Sequence, residues 1–293
     1  MLLAGVALLA LAGLAACDAE PERDFHGYLY FGAGNYLGEL SLASGDTAPA
    51  ASLGDRRIEQ ISPLRDGNFL LSITEAEPGR AQHRIVRFHP VRRNPITLLV
   101  GSGGQYFASS DRIVYDDGTA LVSVPRARIQ SAPTVIHEHA WRAAAAQVRM
   151  ADDGLLFQPA NGTIRYLPAD GDVPEPLAAL SRMCRLDDAV WIGTRSRLLC
   201  RAPGAADRPA PYRLVSLDGA TEQSVPLPED RDLRAVTYLA DQDVLILNES
   251  STGWFSGRET YSVWAYDLDT GQLHAIARNQ YLGNSAVYRR RNR

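Results

Sequence analysis

Four short runs in the C-terminal part of the chain decide the fold: LRAVTYL (residues 233–239), DVLILNE (243–249), YSVWAYD (261–267) and QLHAIAR (272–278). Each run is apolar or alternates between apolar and polar residues, without a sustained 3.6-residue helical period. Turn-forming residues separate the runs, as in LDTG (268–271). Short runs between such turn signals are typical of β-strands. The stretch therefore predicts four consecutive antiparallel strands.

The same pattern occurs earlier as IEQISPL, NFLLSIT, HRIVRFH and PITLLV, within residues 58–100. An apolar run before a turn, like the third run here, occurs six times in the chain. The last strand residues of the six copies are Leu42, Phe88, Val124, Tyr166, Leu217 and Tyr266. They lie roughly 36 to 51 residues apart, on average about 45, which is the length of a four-stranded propeller blade. We therefore predict an all-β fold, a β-propeller of six blades. Seven blades are the main alternative, and a β-sandwich or two small β domains remain open.

The two ends of the chain suggest how the ring closes. The N-terminal part offers three strands, GYLYFGA, LGELSLA and APAASL, and the chain ends with one further strand, SAVYRRR. A C-terminal strand that completes the N-terminal blade would remove the open sheet edges that promote aggregation. We predict that the N- and C-terminal strands share one blade.

The first residues form a short apolar segment. Residues 2–14 are uncharged, too few to span a bilayer, and lead into Leu14-Ala15-Ala16-Cys17. This end resembles the lipobox of bacterial lipoprotein precursors, although no basic residue precedes the apolar segment. An ordinary secretory signal peptide is the alternative.

The chain as a whole resembles bacterial lipoproteins that carry a WD40- or TolB-like β-propeller. The resemblance implies a signal peptide over residues 1–16, a short lipidated linker over 17–24 and the propeller over 25–293. Cys17 would be the lipidation site, carrying acyl chains such as palmitate. The protein would then be anchored in the cell envelope, facing the periplasm, with the inner or outer membrane left open.

The composition excludes several kinds of chemistry. All 30 basic residues are arginine, so Schiff-base lysines and Walker A lysines are impossible. The net charge of −4 argues against nucleic-acid binding. GAGNYLG (32–38) is predicted to be a turn, and DLDTG (267–271) lacks the later ligands of a calcium loop. We expect no cofactor and no catalytic residue.

Three further features lead to specific expectations. His137 and His139 could share a metal ion on one strand face, but a polar strand end is the preferred interpretation. Cys184 and Cys200 are expected to be buried thiols, because a hairpin reading of MCRLDDAVWIG places their strands two apart, about 9.5 Å. WRAAAAQVRM (141–150) is the best helix candidate.

Long connections between second and third strands predict the working surface. They cover residues 75–82, 202–211 and 249–260, and in a propeller they emerge on one face. The last one contains Trp254 and Phe255, flanked by Arg258 and Glu259, an arrangement typical of an interface anchor. The aromatic pair could instead cover the core of its own blade or line a small-ligand pocket.

These observations lead to one favoured hypothesis. The protein is expected to be a lipid-anchored envelope β-propeller that acts as a protein-binding or assembly module without catalysis. A propeller hydrolase or lyase acting on sugars or lactones, or a carbohydrate or small-ligand sensor, is the alternative. The fold alone cannot separate them, because propellers host unrelated functions.

Overall fold

A computed structural model of the chain describes residues 24–77, 80–90, 92, 95–138, 146–150, 154–159, 162–202, 211–220, 222–228, 230–252, 259–283 and 285–290. These residues form six sheets, each of four antiparallel strands. The sheets follow one another along the chain and pack face to face around a ring, so the fold is all-β and a six-bladed propeller. The predicted fold class and blade number are confirmed.

In each blade, the strand nearest the ring axis pairs with the second strand, and the fourth strand forms the outer edge. Blade 1 contains β24 (Ala286–Arg289), β1 (Tyr28–Ala33), β2 (Tyr36–Ser41) and β3 (Thr47–Ser52). Blade 2 contains β4 (Arg56–Pro63), β5 (Phe69–Glu77), β6 (Arg80–Phe88) and β7 (Pro95–Val100). Blade 3 contains β8 (Ser102–Phe107), β9 (Arg112–Asp116), β10 (Ala120–Pro125) and β11 (Thr134–Glu138).

The remaining blades follow the same order. Blade 4 contains β12 (Ala146–Met150), β13 (Gly154–Gln158), β14 (Arg165–Pro168) and β15 (Glu175–Pro176). Blade 5 contains β16 (Arg185–Ile192), β17 (Arg197–Arg201), β18 (Tyr212–Val215) and β19 (Glu222–Ser224). Blade 6 contains β20 (Asp232–Leu239), β21 (Val244–Thr252), β22 (Glu259–Asp267) and β23 (Leu273–Arg278). One α-helix, α1 (Ala178–Met183), and two 3-10 helices, Arg126–Arg128 and Gly193–Arg195, complete the described elements.

The ring closes in blade 1, as predicted. The C-terminal strand β24 is the inner strand of this blade and pairs antiparallel with β1, from Tyr28 opposite Arg289 to Phe31 opposite Ala286. This pairing satisfies one edge of β1 and one edge of β24. Neither edge is left open for pairing with another chain.

The alternating strand directions define two faces of the ring. The upper face carries the connections from second to third strands and from each outer strand to the next blade. The lower face carries the other connections. Since β1 begins opposite the last residue of β24, the described ends of the chain, residues 24 and 290, belong to the lower face.

The core consists of apolar clusters between neighbouring blades. Leu29 and Leu40 of blade 1 pack against Ile246 and Val263 of blade 6, and all four are fully buried. Because side chains of a strand alternate between the two faces of its sheet, successive residues of one strand serve two different clusters. At about 25 cal/mol per Å² of buried apolar surface, this interdigitation between blades is the main stabilising contribution.

A repeated irregularity shows that the blades share one geometry. In blades 1, 2, 3 and 6, the pairing of the third strand with the outer strand skips one outer-strand residue. The extra residues are Ala50, Leu98, Ile136 and Ile276. Such β-bulges bend and twist the outer edge of a sheet.

Two sequence-based expectations about secondary structure are wrong. Residues 146–150 of the predicted helix form the inner strand β12, paired with β13, while residues 141–145 lie outside the described part. The helix of the described chain is instead α1, which lacks a side-chain N-cap and was not predicted. No helix within the described ranges has the length and hydropathy of a transmembrane segment.

The expectation of two buried thiols is also wrong. Cys184 and Cys200 form a disulfide, with Cα atoms 5.5 Å apart. The predicted hairpin between them does not exist, because residues 185–192 form the single strand β16, which pairs directly with β17. Four residues, 186–189, bulge out opposite Cys200, and the disulfide lies at the base of this bulge.

Candidate functional site

Within the described ranges, the upper face is uneven because two hairpins project from it. The second and third strands of blades 2 and 6 have nine residues each, whereas those of the other blades have four to six. Three additional strand residues extend a hairpin by about 10 Å. Blades 2 and 6 flank blade 1, whose own hairpin turns within two residues, Gly34 and Asn35. The turn predicted for GAGNYLG is confirmed.

We call the surface over blade 1, between the two long hairpins, the saddle. Its members are Tyr36, Arg56, Glu75, Arg84, Glu259, Tyr261 and Tyr281. Two hairpins on a closed ring hold this surface from both sides, and concave surfaces on rigid scaffolds are where binding residues concentrate.

Aromatic side chains form the wall toward blade 6. Val263 is buried against blade 1, so Tyr261 and Glu259, two and four residues earlier on β22, face the same way. The rings of Tyr261 and Tyr281 are in contact, with centroids 5.1 Å apart, and the Tyr261 hydroxyl donates to the Glu259 carboxylate. Tyr36 shares a sheet face with Leu40, which packs toward blade 6, and is 50% exposed.

Charged side chains form the wall toward blade 2. Ile73 packs against blade 1, and Glu75 follows it on the same face of β5. The Nε atom of Arg56 donates to Glu75 Oε1 at 3.2 Å, and the Nε atom of Arg84 lies 3.0 Å from Oε2. One half-buried carboxylate therefore holds two arginines in place, which leaves a local excess of positive charge.

The floor of the saddle is tightly packed. The buried amide of Asn248 donates to the Gly283 carbonyl at 2.9 Å and accepts from the Leu282 amide at 3.1 Å. Gly283 has a φ of +69°, and a Cβ there would lie 2.4 Å from the Gly32 carbonyl oxygen. The connection from blade 6 to blade 1 is thus fixed against blade 1, and Tyr281 is carried on it.

The structure covers the predicted anchor in part. Trp254, Phe255 and Arg258 lie outside the described residues. Glu259 is the exposed first residue of β22. Residues 249–252 and 259–260, predicted as loop, are paired strand, as are residues 75–77 and 80–82 of the first long connection. Of the third connection, 202–211, only its two end residues are described.

On the face of the blade 6 hairpin that points toward blade 5, hydrogen bonds and ring stacking hold the hairpin in place. The Arg231 guanidinium donates twice to the Glu249 carboxylate, at 2.7 and 3.1 Å, and lies 4.0 Å from the centroid of Trp264. The Trp264 indole N–H donates to the same carboxylate at 2.8 Å. This bidentate, stacked arrangement stiffens the base of the hairpin. The sequence gives no signal for this role of Trp264, because the residue looks like one more apolar position within a strand.

A further polar cluster lies on the side of blade 2 that faces blade 3. The Thr74 hydroxyl donates to Glu59 at 2.6 Å and lies 3.0 Å from Nδ1 of His83. These residues belong to three strands, so sequence spacing could not bring them together. Because the hydroxyl donates to the carboxylate and not to the imidazole, the cluster ties three strands together.

Of the two metal candidates, the structure describes only His137, and it places this residue away from the ring axis. His137 lies on the outer strand of blade 3, with its ring 5.7 Å from that of Phe157. His139 lies outside the described residues. Cys17 is likewise outside them. In the part of the chain that is described, no three His, Cys, Asp or Glu side chains are grouped to hold a metal ion.

No protein-family model matches the chain, and no curated protein sequence matches it. Solved structures do. A chain of the nidogen–laminin complex aligns with a TM-score of 0.61 and 14% identity over 86% of this chain and 98% of that one. TolB from Acinetobacter baumannii aligns with a TM-score of 0.57 and 8% identity, over 88% and 67%. An oligogalacturonate lyase in complex with manganese gives 0.51 and 13%, over 86% and 74%. At such identities the likeness concerns the fold, a β-propeller, and not the activity.

Proposed function

We propose that this protein is a lipid-anchored β-propeller of the cell envelope that binds a protein partner through the saddle and has no catalytic role. The observation that carries the proposal is geometric. The described ends of the chain lie on the lower face, and the saddle lies on the upper face. An anchor at Cys17, a few residues before the ring, would hold the lower face toward the membrane and present the saddle to the periplasm.

The chemistry of the saddle supports a protein partner. Exposed or half-exposed tyrosines bury large areas at small entropic cost and are enriched at the centres of interfaces. Here Tyr36, Tyr261 and Tyr281 lie on one side, and an arginine-rich wall lies on the other. A complementary partner would offer an apolar segment next to acidic residues.

The hydrolase or lyase alternative depended on a metal or acid residues at the ring axis. His137 packs on the outer strand of blade 3, which weighs against that arrangement. The sensor alternative would use the same upper face. It differs from the proposed function in that the bound molecule would be a carbohydrate or another small ligand and not a protein.

Site-specific photo-crosslinking of the full chain in bacterial envelopes tests the binding face. A photoreactive residue in place of Tyr36 is expected to capture a partner protein. The matched control is the same residue in place of Val173, which is 78% exposed on the lower face. Combined Tyr261→Ala and Tyr281→Ala substitutions should abolish the product formed through position 36. Identical products from positions 36 and 173, or a product that survives the tyrosine substitutions, would contradict the proposal.

The anchor needs its own test. Metabolic labelling with an alkyne fatty acid is expected to label the wild-type chain, and Cys17→Ser should lose the label. A mature product without a fatty acid would remove the membrane anchor from the proposal while leaving the binding face intact.

A further inference from the structure

A tyrosine–aspartate hydrogen bond is repeated on the lower face, at the ends of three inner strands. The last residue but one of an inner strand is a tyrosine in three blades, and its hydroxyl donates to an aspartate in a nearby turn. The pairs are Tyr106 with Asp111 at 2.8 Å, Tyr238 with Asp243, and Tyr288 with Asp241 at 2.8 Å. Burial and this hydrogen bond raise the pKa of Tyr238 to about 12, so the phenol stays protonated as a donor.

Arginines bridge seams between blades. Arg126 donates to Asp111 of its own blade 3 at 3.0 Å and to Asp66 of blade 2 at 3.4 Å. Arg195 of blade 5 donates to Asp243 of blade 6 at 2.8 Å. The seam between blades 3 and 4 is closed by the buried Arg112, which donates to Asp172 on blade 4 at 2.7 Å. Between blades 1 and 2, Arg289 lies 4.0 Å from the centroid of Phe69. Since Tyr288 of blade 1 also donates to Asp241 of blade 6, five of the six seams are bridged by side chains among the described residues of the lower face.

The seam between blades 4 and 5 departs from this pattern. In blade 5 the last residue but one of the inner strand is Trp191, and the turn residue five positions later is Ser196. Ser196 has a φ of 49°, close to the 47° of Asp111 and the 49° of Asp243. The backbone of the turn is therefore the same, but both partners of the tyrosine–aspartate hydrogen bond have been replaced.

An open groove lies beside this turn, on the lower face between blades 4 and 5. It has a volume of about 660 Å³, which is in the range of small-molecule sites. We call it the seam pocket, and its described lining residues are Met150, Tyr166, Pro168, Asp170, Trp191, Ser196, Ser216, Leu217 and Asp218. Its inner end is continuous with the apolar cluster between blades 4 and 5, to which α1 contributes the buried Leu180.

The lining combines aromatic surface with negative charge. Trp191 and Tyr166 provide ring surfaces, and Asp170 and Asp218 provide carboxylates, whereas no arginine is among the described lining residues. The Asp218 carboxylate accepts from the Ser216 hydroxyl and from the Ala220 amide, and these hydrogen bonds lower its pKa. It is therefore anionic at neutral pH and held in a fixed orientation.

We propose that the seam pocket binds an organic cation, an ammonium or guanidinium group, on the Trp191 ring between the carboxylates of Asp170 and Asp218. Cations are attracted to the faces of aromatic rings, best to tryptophan, and the attraction grows where water is partly excluded. A neutral sugar would also stack on Trp191. Two carboxylates in a lining with no arginine among its described residues favour a positively charged ligand, and Asp218 carries more of this preference because Asp170 also interacts with Arg112. The site lies on the face opposite the saddle and does not depend on the saddle's function.

Calorimetric titration of the full chain in detergent micelles tests the site. The probes are choline, its neutral isostere 3,3-dimethyl-1-butanol, the peptide Gly-Arg-Gly, and a neutral disaccharide. Choline or the arginine peptide should bind, more weakly at higher ionic strength, while the two neutral probes should not. Trp191→Ala is expected to weaken binding at least tenfold, and Asp170→Asn with Asp218→Asn at least fivefold. The matched control is Asp46→Asn, an exposed aspartate on the lower face of blade 1, across the ring.

Each outcome decides something. Binding of choline but not of the peptide identifies a free small cation as the ligand source, and the reverse identifies a cationic side chain of a polypeptide. The aspartate substitutions lie at the surface, so they keep the test valid if Trp191→Ala fails to fold. Equal binding of choline and its neutral isostere, preferential binding of the disaccharide, or no binding of any probe would overturn the proposal. So would an equal loss in Asp46→Asn.

Discussion

The disulfide between Cys184 and Cys200 gives the most direct test of the structure, because the sequence alone favoured free thiols. The bond joins cysteines 16 residues apart. In the chain-entropy description, a cross-link of that span restricts the unfolded chain and stabilises the fold by about 3 kcal/mol. For a ring of about 270 residues, with an unfolding entropy of about 2.1 cal/mol/K per residue, this corresponds to about 5 °C in Tm.

Thermal unfolding followed by circular dichroism, with and without a phosphine reductant, measures this difference. Alkylation of the unfolded chain under non-reducing conditions, read by mass spectrometry, should label neither cysteine. Cys17→Ser serves as the control, since it removes the remaining cysteine without touching the bond, and its Tm should match that of the wild type. Labelling of both cysteines without a reductant, or a Tm that reduction leaves unchanged, would refute the reasoning.

Three further predictions concern ring closure, pH and packing. Removing residues 286–293 should expose the edge of β1 and convert the monomer into aggregates in light scattering, whereas removing only residues 290–293 should not. Burial opposes ionisation of Asp243, but hydrogen bonds from Tyr238 and Arg195 outweigh it and lower the pKa of this carboxyl. The ionised carboxylate therefore stabilises the folded state above about pH 4, and this contribution is lost as the pH falls below that value. Asp243→Asn should therefore cost about 1 kcal/mol in urea unfolding at pH 7, a difference that shrinks as the pH falls toward 3; a constant difference would argue against the pairing. Gly283→Ala should lower the free energy of unfolding by about 3 kcal/mol, because its Cβ would meet the Gly32 carbonyl. The control Gly34→Ala has a φ of +60° but open space around the Cβ, and it should lower this free energy by about 1 kcal/mol. Equal losses in the two variants would show that the floor of the saddle is loosely packed.

The fold was readable from the sequence because its signals are local. The runs 233–239, 243–249, 261–267 and 272–278 became the strands of blade 6, with each boundary shifted by at most three residues. Alternation and turn residues act within a few positions of the chain, and a blade is built from neighbours in sequence. The closure by β24 could be predicted by counting strands, because the N-terminal blade had only three strands and the C-terminal strand belonged to no other blade.

The helix prediction failed where propensity and pairing disagree. Ala146, Gln147, Arg149 and Met150 favour a helix by about 0.5 kcal/mol per residue over strand-forming types, but in residues 146–150 pairing with β13 and burial of Val148 outweigh that preference. Conversely, α1 has six residues and no capping side chain, and it is held by the burial of Leu180. Neither effect can be seen without the neighbouring blade.

The sequence by itself determined the class of fold, the number of blades, the shared blade at the chain ends and the absence of lysine chemistry. Only the tertiary structure decided the disulfide, the saddle and the seam pocket. The reason is the range of the interactions involved. Strand period and turn chemistry depend on adjacent residues, but Cys184 meets Cys200 only because one long strand replaces a hairpin. Likewise, the aromatic wall joins side chains of three segments, and the seam pocket brings Trp191 and Ser196 of blade 5 together with residues of blade 4.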